Sequence, residues 1–152
     1  MHDIVKPHKH NEYTQDKFPE YKVGQSASFA KIITDADLIL FAGLSGDTNP
    51  LHFDESFAKT TFFQGRITHG LLTAALISTV LGTKLPGPGC VYLSQNLKFI
   101  APVKLGETVE ARATIAEIIS DKRRLLLKTE CFVGDRVVIE GDAVIWVPKP
   151  KA

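Results

Sequence analysis

The sequence predicts an α+β domain in which a curled antiparallel sheet wraps one buried helix. Two observations carry that expectation. First, Leu71 to Leu81 reads as a helix with no charged side chain. A helix that is apolar on nearly every side lies either in protein or in lipid. This one is far too short to cross a bilayer, so protein must enclose it. Second, everything after it reads as strand, in four alternating runs: Val91–Ile100, Glu107–Ile119, Arg124–Val133 and Val137–Val147. The links between them, Pro102 to Gly106, Ser120 to Arg123 and Gly134-Asp135, are turn chemistry, and the last three runs are joined closely enough to pair as an antiparallel meander. A sheet with one apolar helix to cover must curl around it, which is the hot-dog architecture.

The remaining elements follow in chain order. Met1 to Glu20 is polar, contains two prolines and shows no periodicity, and reads as a mobile or partner-docked arm ahead of a domain spanning 21–149. Its His2, His8 and His10 have no cysteine or carboxylate cluster beside them and read as a solvated tail rather than metal ligands. Lys22 to Ile33 alternates weakly through Val23, Ala27 and Phe29, as a first strand would. Thr34 followed by Asp35 and Asp37 is a helix start, with acidic residues where the backbone dipole favours them. That helix runs from Asp35 to about Leu44 and ends against Gly43 and Gly46. Asp54-Glu55 opens a further short helical turn carrying Phe57 and Ala58. Gly82 and Pro86 to Gly89 close the central helix. Along Val91–Ile100 the alternation puts Val91, Leu93, Leu97 and Phe99 on one face.

Composition narrows the class. A chain of 152 residues is one domain with room for a core without disulfides or metals. Apolar content of 44% and charged content of 23% are those of a soluble globular protein. A formal net charge of +1 gives nucleic acid no electrostatic footprint. Cys90 and Cys131 sit inside what read as strands and read as reduced, buried thiols of a cytoplasmic protein. The N-terminus has no apolar core of a signal peptide, and no stretch reaches spanning length, so no membrane partner is expected. Open sheet edges and any uncovered helix face are a liability in a single chain, which points to a homodimer, or a dimer of dimers, in which two sheets join.

The chemistry is concentrated in Phe41-Ala-Gly-Leu-Ser-Gly-Asp-Thr-Asn-Pro-Leu-His52, followed by Gly65-Arg-Ile-Thr-His-Gly70. Asp47 and His52 stand five positions apart, with Asn and Pro between them, the residues of a tight non-helical turn. In a regular helix or strand such a pair diverges, whereas a turn can aim both heads at one point. An acid and a base converging beside apolar sequence is what proton transfer needs.

These residues resemble the hydratase motif of the MaoC-like, (R)-specific enoyl-CoA hydratases. The resemblance continues through Ala58, Ile67-Thr-His-Gly70 and Tyr92-Leu-Ser-Gln-Asn-Leu-Lys-Phe99 and covers Tyr21 to Val147. It implies a hot-dog dimer that reversibly hydrates trans-2-enoyl thioesters to (R)-3-hydroxyacyl thioesters, with no metal and no redox cofactor. It also implies roles. Asp47 and His52 match the catalytic pair that holds and activates water, and Asn49 the motif asparagine that steadies the loop or the water. Gly70 matches the position whose backbone N–H polarises the thioester carbonyl, Ser78 a helix serine near the pair, and Leu81 a position lining the acyl pocket. No motif position departs from the pattern.

Each residue has a plainer role to weigh. Asp47 and Asn49 are also turn-capping residues. His69 reads as a structural histidine at a helix start, and Ser78 can bond back to the carbonyl of Ala74. Arg66, Lys84, Lys98 and Lys104 are the cations available to coenzyme A phosphates, and Asp121 to Arg124 reads as a solvated hairpin tip. The competing activities are a hot-dog thioesterase and a short 3-hydroxyacyl-acyl-carrier-protein dehydratase, both of which use an acidic residue on the central helix. Gly70 to Leu85 contains no Asp or Glu. A non-catalytic module that binds acyl thioesters would not need Asp47 together with His52. An acyl-CoA is the favoured substrate, with an acyl-carrier-protein thioester as the alternative.

Overall fold

A computed structural model describes residues 15–151. The element order is β1 (Ser26–Ile32), α1 (Asp35–Ser45), α2 (Pro50–Phe53), α3 (Glu55–Lys59), α4 (Gly70–Thr83), β2 (Val91–Gln95), β3 (Lys98–Phe99), β4 (Thr108–Ile119), β5 (Arg124–Val133) and β6 (Arg136–Trp146). Six strands make one antiparallel sheet in the order β1-β4-β5-β6-β2, with β3 also paired to β6. The predicted meander is β4-β5-β6, and the predicted hot-dog arrangement of an open sheet around a central helix is the one observed.

The core lies between α4 and the sheet. Leu76, Ile77, Val80 and Leu81 of α4 are buried against Val109 and Ile115 of β4, Leu125 and Leu127 of β5, and Ile139 and Ile145 of β6. Each such aliphatic side chain contributes about 1.5–3 kcal/mol when withdrawn from water. Ala111, Ala113 and Ala143 are fully buried in the same sheet face, and these short side chains let the helix lie close. α1 starts as its sequence demands. The Thr34 hydroxyl accepts the Asp37 amide at 3.3 Å, and the Thr34 amide donates to Asp37 Oδ2 at 2.9 Å. It stops at Gly46, which adopts φ +79°, a conformation costly for a residue with a Cβ.

Four expectations need correction. The central helix runs on through Gly82 to Thr83, so Gly82 does not end it. Nor is α4 enclosed all round, because the sheet covers one side only. On the other side Leu71 is 60% exposed, and Ala75, Ser78 and Gly82 are exposed with it. The run Val91–Ile100 is two strands rather than one, with a register shift between Tyr92 and Ser94 and a break at Asn96-Leu97. There Asn96 folds onto β6, its amide donating to the Asp142 carbonyl at 3.0 Å and its Oδ1 accepting the Asp142 amide at 3.2 Å. Gly141 makes room for this, since a Cβ there would stand 1.9 Å from the Asn96 carbonyl oxygen. The break upsets the alternation, and Val91, Leu93 and Phe99 all stay exposed.

The fourth correction concerns residues 16–20 of the expected arm. Residues 1–14 of the expected arm, with His2, His8 and His10, lie outside the described residues. Phe18, however, is buried in the core within a 3-10 turn, Phe18–Glu20. Arg123 fastens that segment. Its guanidinium lies 4.6 Å from the Phe18 ring centre, and its Nη2 donates to Asp16 Oδ1 at 2.6 Å. The supposed solvated hairpin tip therefore holds the Phe18–Glu20 turn in place.

Candidate active site

The turn between α1 and α2 is built by short polar side chains bonding to nearby backbone. Ser45 Oγ accepts the Asp47 amide at 3.2 Å, Asp47 Oδ1 accepts the Asn49 amide at 3.1 Å, and Asn49 Oδ1 accepts the Leu51 amide at 3.0 Å. Asn49 thereby caps α2, with Pro50 at its first position, where the missing N–H costs nothing. The turn-capping role of Asp47 and Asn49 and the convergence of Asp47 with His52 thus coexist. Only one Asp47 oxygen is engaged by the Asn49 amide.

α2 is a single turn that tips His52 inwards, where it is 7% exposed. Its Nδ1 lies 2.8 Å from the Ile67 carbonyl oxygen. A carbonyl can only accept, so Nδ1 carries the hydrogen and Nε2 keeps its lone pair. Burial holds the imidazolium form below the usual histidine range, and nearby His69 and Arg66 push the same way. The Ile67 carbonyl and the Asp47 carboxylate oppose this without reversing it. His52 is therefore a neutral base at neutral pH.

His69 completes the cluster, as a residue whose part in the site sequence reasoning missed. Its ring stacks on that of His52, with centroids 3.9 Å apart and 33° between planes, and Nε2 donates to the Asp47 backbone carbonyl at 3.1 Å. The ligand-type atoms of Asp47, His52 and His69 all lie within 4.8 Å of one another, so among the described residues these three side chains form a group that could hold a cation. Arg66 braces the assembly from behind. Its Nε donates to the His52 carbonyl at 2.6 Å, and its Nη2 pairs with Asp35 of α1 at 2.5 Å.

The pair opens into a cavity of about 560 Å³. Its walls are apolar, from Phe41, Phe62, Phe63, Leu71, Phe99 and Ile100, with Asp47, His52, Thr68, His69 and Gly70 supplying the polar part. Gly70 opens α4, and its neighbour His69 gives the helix start no side-chain cap. The first-turn amides are therefore free of intrahelical partners, at the positive end of the helix dipole. A Cβ at Gly70 would stand 2.7 Å from Phe99 Cε1, so any larger residue there requires that ring to move.

The structure brings Asp47, His52 and Gly70 to one cavity and leaves three predicted residues outside its lining. Asn49 acts on the turn. Ser78 is exposed on the open side of α4, about two turns past Gly70. Leu81 is 1% exposed and packs in the core on the sheet side of the helix. Two of the four candidate cations are engaged elsewhere: Arg66 as above, and Lys84, whose Nζ donates to the Ser28 carbonyl at 2.6 Å. Lys98 and Lys104 are exposed and adjoin Phe99 and Val103 of the cavity wall. The Phe62-Phe63 pair that lines the cavity had one visible signal, two adjacent large aromatic residues in a segment with no strand or helix pattern.

An open antiparallel sheet on a central helix, with a carboxylate and an imidazole sharing one cavity at the helix head, makes this a hot-dog domain. Residues 17–131 match the MaoC like domain, and the chain belongs to that family. It is 53% identical over 131 residues to an (R)-specific enoyl-CoA hydratase of Rhodospirillum rubrum, covering 86% of this chain and 91% of that one. It is 50% identical over 132 residues to a 3-hydroxybutyryl-CoA dehydratase of Methylorubrum extorquens, covering 87% and 84% respectively. Among solved structures, an (R)-hydratase from Aeromonas caviae involved in PHA biosynthesis superposes with a TM-score of 0.82 at 42% identity, covering 84% of this chain and 98% of that one.

Proposed function

We propose that this protein is an (R)-specific enoyl-CoA hydratase, a hydro-lyase that adds water reversibly to trans-2-enoyl-CoA to give (R)-3-hydroxyacyl-CoA. The observation that carries the reading is the convergence of Asp47 and His52 on one apolar cavity beside the uncapped start of α4. Water bound between the two heads gives up a proton to the pair as its oxygen bonds to Cβ of the enoyl group. The double-bond electrons move onto the thioester oxygen, where the Gly70 amide stabilises the enolate. A proton delivered from the same pair to Cα restores the thioester, and addition from one side makes the hydration syn. His52 Nε2, uncharged and with its lone pair free, is suited to the accepting step, while the free Asp47 oxygen orients the water. Asn49 holds the turn, Leu81 seats α4 on the sheet, and Ser78 stands on the helix face left open. A preorganised amide donor such as that of Gly70 is typically worth about 3 kcal/mol of barrier.

The open side of α4 and the exposed Val91, Tyr92 and Leu93 of edge strand β2 support a homodimer joined across these surfaces. Among the described residues no helix is long and apolar enough to cross a membrane. Cys90 and Cys131 are unpaired, which accords with a cytoplasmic setting. The absence of Asp and Glu from α4 disfavours the thioesterase and the short acyl-carrier-protein dehydratase.

The test is the enoyl absorbance of crotonyl-CoA. It falls with the wild-type protein and stays level with Asp47→Asn. Release of free thiol with the double bond intact would replace this reading by a thioesterase. Silence in both assays, with the ligand bound, would replace it by a binding module. Running the same substrate as a carrier-protein thioester decides between the two carriers.

A further inference from the structure

We propose that His69 is the positioning residue of the catalytic pair, holding the Asp47 backbone with one edge of its ring and the His52 imidazole with its face. This rests on the hydratase reading above. His69 is 2% exposed, and its Nε2 meets the Asp47 carbonyl oxygen at 3.1 Å. Because that oxygen only accepts, the hydrogen of the neutral ring sits on Nε2. The other nitrogen, Nδ1, is buried without a partner. An orphaned ring nitrogen costs stability. A hydrophobic residue of similar size would avoid that cost if packing were the only task here. What such a residue would lack is the donor that ties the Asp47 turn to the head of α4.

The ring is confined on several sides. His52 stacks on it at 3.9 Å, Phe41 of α1 lies at 4.8 Å between centroids, and Phe53 of α2 at 5.6 Å. It also occupies the N-cap position of α4, immediately before Gly70. One side chain therefore references Asp47, His52 and the Gly70 amide to one another, although the three belong to separate elements. The Asp47 turn has no strand of its own to hold it, and its other side-chain bonds run within the turn. His69 acts on the reaction only through these neighbours. A displacement near 1 Å in such a constellation can cost about a hundredfold in rate.

Three substitutions separate the two contacts. His69→Phe keeps an aromatic face for His52 and loses the donor, His69→Gln keeps a donor and loses the face, and His69→Leu loses both. On crotonyl-CoA, His69→Leu should lower kcat about tenfold to a hundredfold with KM changed less than threefold. His69→Gln should recover at least fivefold of that loss. Unchanged kcat in His69→Leu, a loss carried wholly by KM, or no recovery in His69→Gln overturns the proposal. Nitrogen NMR of the wild-type imidazoles tests it without substitutions, even if a variant fails to fold. His69 should be the Nε2–H tautomer in a hydrogen bond, and an Nδ1–H tautomer refutes the arrangement. If the wild type does not hydrate crotonyl-CoA, the hydratase reading fails, and the tautomer still reports whether His69 holds the turn.

Discussion

Gly70→Ala separates the chemistry of the α4 start from its packing. The added methyl carbon would stand 2.7 Å from Phe99 Cε1, 2.8 Å from Cδ1 and 3.4 Å from Cζ. Carbon atoms rest at about 3.5–4.0 Å, so the ring must retreat by about 1 Å. Phe99 is 55% exposed and can rotate outwards, which puts the steric cost near the lower end of the ~1–3 kcal/mol usual for overpacking. Alanine recovers up to ~1 kcal/mol over glycine in helix propensity, less at a first position. The two effects nearly cancel, and urea unfolding should place the variant within ~1 kcal/mol of wild type. The rate should behave differently. The methyl group and the displaced ring crowd the approach to the Gly70 amide, and losing one such donor lowers kcat about a hundredfold or more. Crotonyl-CoA hydration is the assay. Wild-type kcat in a folded Gly70→Ala protein would show that this amide does not support the reaction. Full recovery in the Gly70→Ala, Phe99→Ala double variant would assign the damage to the ring rather than to the donor.

Two further outcomes follow from the same structure. The His52 imidazolium is held below the usual histidine range mainly by burial, so its contribution to stability is fully present above an unfolded pKa of about 6.5 and is lost as pH falls through that value towards the folded one. The thermal midpoint should therefore drop between pH 7 and pH 5, and drop less in His52→Gln. Asp16, held low by Arg123, and Asp37, held low by Lys31 against its own burial, lose their contributions only below about pH 4, outside that window. An equal drop in both proteins would refute the assignment. Sedimentation equilibrium should give the wild type twice the chain mass and Leu93→Glu a single chain mass, because Leu93 is 44% exposed on the edge strand. A wild type that sediments as one chain would remove the homodimer.

The chain order of the elements was legible because local physics decides it. Thr34 with Asp37 starts α1, Gly46 stops it, and Val109, Ala111, Ala113 and Ile115 alternate inwards along β4, all from near neighbours in sequence. The turn that carries Asp47 was legible for the same reason, since Asp47, Asn49 and Pro50 shape it through bonds spanning two residues. Where an outcome depended on distant residues, the pattern misled. The strand from Val91 breaks because Gly141, far along the chain, admits Asn96. Leu81 and Ser78, three positions apart on one helix, part company because the sheet lies on only one side of α4.

By itself the sequence determined which short segments bend, cap or alternate, and that a carboxylate and an imidazole would leave the same turn. Only the tertiary structure decided what that pair meets. His69 arrives from the head of α4, the Ile67 carbonyl sets the His52 tautomer, and Arg66 ties α2 to α1. The physical reason is one of range. Turn and helix signals act over a few residues, whereas a proton-transfer geometry is a set of angstrom-scale distances between groups that only the packed core brings together.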